Sequence, residues 1–273
     1  MQANRSWTPP TGPLGRLSVA SAARAEALVR QRAELASRAA DAPVPPGFAA
    51  ALQRGDVAVV AEVKRRSPSK GVINAGIDAG AQAASYARGG AAALSILTEP
   101  SEFGGALSDL ADARRTTSVP LLKKDFHVHP VQVLEARAAG ASALLLIARA
   151  LAPDRLRELA DTALAVGVEV LVEVRSEAEL EDALGIEDAV IGVNSRDLET
   201  LLIEPAVTSR LIAMIPPHRL AIAESGIGTR GDVERVASVG ADAVLVGSSI
   251  SAAVDPAAAV AALTGVARIR RGG

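Results

Sequence analysis

At 273 residues, 49% of them apolar and 22% charged, the chain is long enough to bury a large core and is balanced like an ordinary globular protein. A net charge of −2 argues against nucleic acid or an anionic membrane as a partner, and the lack of cysteine excludes disulfides, thiolate metal sites and cysteine nucleophiles. No apolar run reaches the roughly 18 residues that a membrane-spanning helix needs.

Residues 1–16 carry Pro9, Pro10, Gly12, Pro13 and Gly15 and no apolar signal core, so they read as a flexible tail and the protein as cytoplasmic. Residues 17–56 form a helical extension: Leu28, Val29 and Leu35 mark a helix over 17 to about 40, and Pro43, Pro45 and Pro46 end it. A β-branched run over 57–63 then reads as a buried parallel strand. Seven more apolar runs follow at 91–97, 120–124, 143–147, 168–174, 189–194, 220–223 and 243–246. Gly90, Gly140, Gly167, Gly185 and Gly240 precede five of them, as expected where a helix ends in a left-handed cap and turns into a strand. Strand ends recur about every 26 residues, enough for one β-loop-α-loop unit. The expected fold is α/β, a single (β/α)8 TIM barrel over 57–266 behind the N-terminal helical extension, with 267–273 as a C-terminal tail. An open doubly wound sheet is the alternative, because the pattern alone does not fix closure.

Barrel enzymes place their chemistry after the carboxyl ends of the strands. Polar groups collect at those ends: Glu62, Lys64 and Ser67 after the first strand, Lys124 and Asp125 after the third, Glu173 at the fifth, Asn194, Ser195 and Arg196 at the sixth, and Glu224 and Ser225 at the seventh. The strand entrances carry no such set in this reading. Glu62 and Lys64 are two apart and share a side of an extended chain, so they make either a structural ion pair or an acid and a cation for one substrate. The same parity turns Lys124 into the barrel and Lys123 toward the helices, as a lysine snorkelling to water.

Ser225-Gly226-Ile227-Gly228 and Gly247-Ser248-Ser249 follow strands seven and eight, where barrels often bind phosphate through backbone N–H groups. Tight turns are the plain alternative. Phe48, Phe103 and Phe126 all fall near one rim in this reading, to plug the core or to hold a flat apolar ring. His127 and His129 have no third ligand spaced nearby, so no metal is expected.

The motifs have a family likeness. Residues 61–71, Ala-Glu-Val-Lys-Arg-Arg-Ser-Pro-Ser-Lys-Gly, closely resemble the signature of indole-3-glycerol phosphate synthases. Leu94-Ser95-Ile96-Leu97-Thr98-Glu99 with Phe103-Gly104-Gly105, Lys124-Asp125-Phe126, Leu171-Val172-Glu173-Val174, the block 191–198, Ala223-Glu224-Ser225-Gly226-Ile227 and Val246-Gly247-Ser248 are similar to that family's other blocks, in order, across residues 48–250.

The resemblance implies a cofactor-free carboxy-lyase of tryptophan biosynthesis. It converts 1-(2-carboxyphenylamino)-1-deoxyribulose 5-phosphate, a sugar phosphate carrying an anthranilate ring, to indole glycerol phosphate. Other tryptophan-pathway enzymes are its candidate partners. Carried over by motif, Lys124 is the general acid and Glu173 the base. Lys64 holds the substrate carboxylate, while Glu62 and Asn194 orient the amine and hydroxyls. Ser225, Gly226, Gly247 and Ser248 take the phosphate, Phe103, Phe126, Leu145 and Leu198 take the ring, and Ser67, Arg196 and Glu224 complete the polar shell. Two positions depart from the pattern: His127 stands where an aliphatic residue is more usual and Val131 where tyrosine is common, both expected beside the ring pocket. Phosphoribosylanthranilate isomerase, a barrel of the same pathway, is excluded by the missing cysteine. A paralogue making a substituted indole for specialised metabolism and a non-catalytic phosphate-binding barrel are the other readings.

Overall fold

The structure, a computed structural model, describes residues 7–271. Eight parallel strands close into a barrel in sequential order: β1 (Ala58–Val63), β2 (Ala93–Leu97), β3 (Leu121–Lys124), β4 (Ala143–Ile147), β5 (Glu169–Val174), β6 (Val190–Asn194), β7 (Ala221–Glu224) and β8 (Ala243–Val246). β1 pairs with β2 on one side and with β8 on the other, so the open-sheet alternative is overturned. Each strand is buried on both faces, by its neighbours across the barrel and by the helix layer. That is why the strands read as continuous apolar runs and not as alternating ones.

The helical layer comprises α4 (Ala79–Arg88), α5 (Leu107–Thr116), α6 (Pro130–Ala138), α7 (Pro153–Ala165), α8 (Glu177–Leu184), α9 (Pro205–Met214), α10 (Arg230–Ala237) and the short α11 (Ser248–Ser251) and α12 (Pro256–Ala261). Gly90, Gly140, Gly167 and Gly240 have φ of +91°, +85°, +73° and +91°, the left-handed turn from helix into strand. Gly185 does not. Its φ is −72°, and Asp188 takes the left-handed position before β6 at +59°. A short polar side chain tolerates that conformation better than most.

The extension contains α1 (Pro13–Val29), α2 (Arg32–Asp41) and α3 (Phe48–Leu52). The single helix expected over 17 to about 40 is thus two, turning at Gln31, whose N–H donates to Leu28 O. The tail expected over 1–16 is shorter than read, because Pro13 already opens α1 and the Gly12 N–H donates to the Glu199 carboxylate at 2.7 Å. Residues 1–6 of that tail, and 272–273 at the other end, lie outside the described residues. α2 packs on α6, where Val131 sits with Ala25 and Leu35 in a small apolar cluster.

Three other expectations fail on burial. Lys123 does not snorkel: it is 1% exposed, and its amine meets Glu135 Oε2 at 2.7 Å under α6. Phe48 lies at the opposite end of the barrel from the other phenylalanines, because its N–H and that of Ala49 cap onto Glu169 at the entrance of β5. The entrances also carry charge. Asp242, before β8, binds Arg268 and Arg271 and accepts the Ala221 N–H at 2.7 Å. Among the described residues no helix is long and apolar enough to cross a membrane.

Candidate active site

A cavity of about 320 Å³ opens at the carboxyl ends of the strands. All sixteen residues singled out from the sequence for catalysis or substrate line it: Glu62, Lys64, Lys124, Glu173 and Asn194, with Ser67, Phe103, Phe126, Leu145, Arg196, Leu198, Glu224, Ser225, Gly226, Gly247 and Ser248.

The floor is set by strand register. Lys124, Asn194 and Glu224 end β3, β6 and β7, and Asn194 sits directly beside Glu224 across the ladder. The Lys124 amine donates to Glu173 Oε2 at 3.1 Å and to Glu224 Oε2 at 3.2 Å, while Asn194 Nδ2 donates to Glu173 Oε1 at 3.0 Å. Lys64 meets Glu62 Oε1 at 2.7 Å. Two glycines make room for these groups. A Cβ at Gly192 would fall on Glu224 Oε1, and one at Gly247 would fall on Glu62 Oε1 and lie 2.9 Å from the Lys64 amine.

Burial alone would lower the Lys124 pKa, but the charges of Glu224, Glu173 and Glu62 outweigh it and hold the ammonium well above the ordinary lysine range. Burial pushes Glu224 up to about 8, with Glu173 and Glu62 adding to the shift and Lys124 opposing it. At neutral pH the floor therefore holds a charged ammonium beside a carboxyl group able to keep its proton. Such a group can give a proton to a developing oxyanion or take one back.

One wall is apolar. Phe103 and Phe126 pair with ring centroids 6.3 Å apart and planes tilted by 39°, and Leu145 and Leu198 extend the surface. Phe103 is fixed by the buried Glu99, whose carboxylate accepts the N–H groups of Ser101, Glu102 and Phe103. Phe126 is fixed by Asp125, whose Oδ1 accepts its N–H at 2.8 Å and binds Arg24 of α1 at 2.7 Å. Neither His127 nor Val131 lines the cavity: His127 lies beside the ring wall, next to Phe126 and bonded to Leu145, whereas Val131, contrary to expectation, packs away from it with Ala25 and Leu35. His127 Nδ1 donates to Leu145 O at 2.7 Å, so that nitrogen carries the proton. Burial, with Lys123 adding to it, pushes the ring down to about 3 and keeps it neutral. His129 caps α6 through Nδ1, which accepts the Val131 N–H.

Across the mouth, Ser225 and Gly226 are both left-handed, at φ +64° and +69°, which bends the chain sharply after β7. Ser195 does not line the cavity but holds this bend, donating to Glu224 O at 3.1 Å and Ser225 O at 3.2 Å. Gly247 caps the short helix α11. The two turns present polar backbone opposite the phenylalanines.

Sequence reasoning missed the roof. Pro13, Leu14 and Leu17 of α1 cover the cavity, as do Pro68, Ser69 and Lys70. The last three lie at a small hairpin formed by Arg66–Ser67 and Gly71–Val72. Leu201 and Ile203, from the loop after β6, complete the rim.

Comparison with known proteins agrees with this geometry. The family model described as indole-3-glycerol phosphate synthase matches residues 17–263. Among proteins carrying that name, the one from Opitutus terrae is 49% identical over 235 residues, 84% of this chain and 88% of its own. The one from a Nocardioides species is 46% identical over 251 residues, 92% and 95% of the two chains. Among solved structures, a thiamine phosphate pyrophosphorylase from Pyrococcus furiosus superposes with a TM-score of 0.57 at 16% identity, over 76% of this chain and 93% of that one. The tryptophan synthase alpha subunit from Legionella pneumophila gives 0.56 at 14%, over 76% and 91%. At such identities the likeness concerns the fold alone.

Proposed function

The chain belongs to the indole-3-glycerol phosphate synthase family, and from that membership we propose how its residues divide the reaction. The family's activity, that of a carboxy-lyase in tryptophan biosynthesis, is ring closure, decarboxylation and dehydration of 1-(2-carboxyphenylamino)-1-deoxyribulose 5-phosphate. The observation that carries the assignment is Lys124, held between Glu173 and Glu224 at the floor of a cavity with an apolar ring wall on one side and polar turns on the other.

The Ser225-Gly226 and Gly247-Ser248 turns take the phosphate through backbone N–H groups, and Phe103, Phe126, Leu145 and Leu198 take the anthranilate ring. Lys64 pairs with the substrate carboxylate. Lys124 gives its proton to the ribulose carbonyl oxygen while the ring carbon bearing the carboxylate attacks the carbonyl carbon, so a C–C bond forms and the oxygen becomes a hydroxyl. Glu62 and Glu173 stabilise the resulting cation. Breaking the bond to the carboxylate releases carbon dioxide, and its electron pair restores the aromatic ring. Dehydration follows: Glu173 accepts a proton from the former sugar, and the hydroxyl leaves as water with a proton supplied by Lys64. Two protons are given and one is taken, so each turnover consumes one proton from solvent.

Ser67, Arg196 and Asn194 orient the polar groups, with Arg196 held by the Leu201 carbonyl at 2.9 Å. The unit of function is the barrel over 57–266 with the extension as its roof, working in the cytoplasm, where other tryptophan-pathway enzymes are candidate partners. Purified protein given the carboxyphenylamino substrate should develop indole fluorescence. A protein that binds the substrate without forming indole would overturn the proposal in favour of a binding barrel.

A further inference from the structure

β1 and β8 close the barrel, and their pairing ends at Ala61 with Val246. Glu62 lies one residue beyond that last rung. Its main-chain carbonyl is not left open there, because side chains replace the ladder. Ser251 Oγ, at the end of α11, donates to Glu62 O at 3.0 Å. Tyr86, from α4, lies 3.1 Å from Ser251 Oγ and 3.4 Å from Glu62 O. Since the serine proton is committed to Glu62 O, the phenol is the donor to Ser251. Burial pushes the Tyr86 pKa up to about 12, so it keeps that proton throughout the working pH range. Both side chains are buried, Tyr86 at 0% and Ser251 at 1% exposure.

The same short segment also meets Glu62 at its other end. Gly247 lies so close to the Glu62 carboxylate and the Lys64 amine that a Cβ there would collide with the carboxylate. Residues 247–251 thus meet Glu62 twice: Gly247 leaves the room its carboxylate occupies, and Ser251 bonds its carbonyl.

We infer that Ser251 and Tyr86 are positioning residues that tie the Glu62–Lys64 pair to segment 247–251, so that the segment seating the phosphate also sets where Lys64 acts. The inference rests on the roles proposed above for Glu62, Lys64 and the phosphate turn. Binding energy from the phosphate, remote from the reacting carbons, is thereby used to place the amine.

The experiment is a double-mutant cycle in steady-state kinetics, with thermal unfolding recorded for each variant. Ser251→Ala should lower kcat about tenfold with KM changed less than about twofold, and Tyr86→Phe should lower kcat about threefold. In a Glu62→Gln background each should cost less than about twofold, because the pair they position is already broken. Wild-type kcat in both single variants would overturn the inference, and so would fold-losses that multiply with that of Glu62→Gln. An unchanged kcat for Glu62→Gln alone would instead remove the role given to Glu62, and this inference with it. Tyr86→Phe deletes a single oxygen and keeps the ring packed, so it carries the test if Ser251→Ala fails to fold.

Discussion

The two ends of the barrel are both charged, yet they are built to opposite rules. At the amino ends of the strands the buried and half-buried carboxylates terminate on protein groups. The Asp242 carboxylate takes Arg268, Arg271 and a backbone N–H, the Glu169 carboxylate takes two backbone N–H groups, and Arg219 donates to the carbonyls of Leu184, Ile186 and Ala189. At the carboxyl ends, Glu62, Glu173 and Glu224 meet two cations, Lys64 and Lys124, and Glu224 Oε1 has no hydrogen-bond partner among the described residues. A closed network stabilises a fold. An unbalanced one facing a cavity is kept for something that arrives there.

The sharpest way to break this contrast is at Lys124. Arginine keeps the charge but replaces the compact ammonium between Glu173 and Glu224 with a wider, planar and delocalised guanidinium, and methionine keeps length without charge. Both should lower kcat by about 10⁴, while a stable substrate analogue still binds by titration. An arginine variant with near-normal turnover would make Lys124 a fixed charge and move the acid to Lys64. Glu173→Gln should cost less, about 10²- to 10³-fold in kcat with KM nearly unchanged, because the amide keeps the bond to Asn194 but cannot accept a proton. Weakened binding at normal kcat would show that the base lies elsewhere.

At the other end the signature should invert. Asp242→Asn removes the carboxylate charge that two arginines share and should cost about 3 kcal/mol of stability in urea denaturation with kcat unchanged. A catalytic loss without a stability loss would erase the distinction between the ends.

The smallest effect concerns pH. Glu224 ionises near 4.5 in the unfolded chain and at about 8 in the folded one, so between those values the folded state holds a proton the unfolded state has lost. That term makes stability fall as pH rises from 4.5 to 8. Glu224→Gln should therefore flatten the stability profile, gaining on the order of 2 kcal/mol over wild type on going from pH 6 to pH 8. A profile parallel to wild type would sink the assignment.

The strands were legible because parallel strands buried on both faces leave uninterrupted apolar runs, and the rim groups were legible because strand ends are where those runs stop. What was not legible depended on contacts far apart in the chain. Nothing in Arg30-Gln31, both good helix formers, announces the break between α1 and α2. Pro13, Leu14 and Leu17 read as a tail and helix start until they are seen over the cavity. Lys123 was placed on the correct side by parity, but its partner Glu135 comes from a helix whose packing the strand pattern does not encode. Strand entrances read as bare because Asp242 is sequence-distant from Arg268 and Arg271, which close over it from beyond the last helix.

The seam between the first and last strands has a consequence in time. Ala58 pairs with Ala243, so on a ribosome adding 5–20 residues per second the edge of β1 would wait roughly 10–40 s for its partner. During that interval one edge of an apolar strand stands unpaired, the kind of edge that recruits other chains. Glu62 inside the strand, and Lys64, Arg65 and Arg66 directly after it, are the charges that discourage such pairing. Glu62 and Lys64, which later line the cavity, would thus guard the nascent chain before any cavity exists.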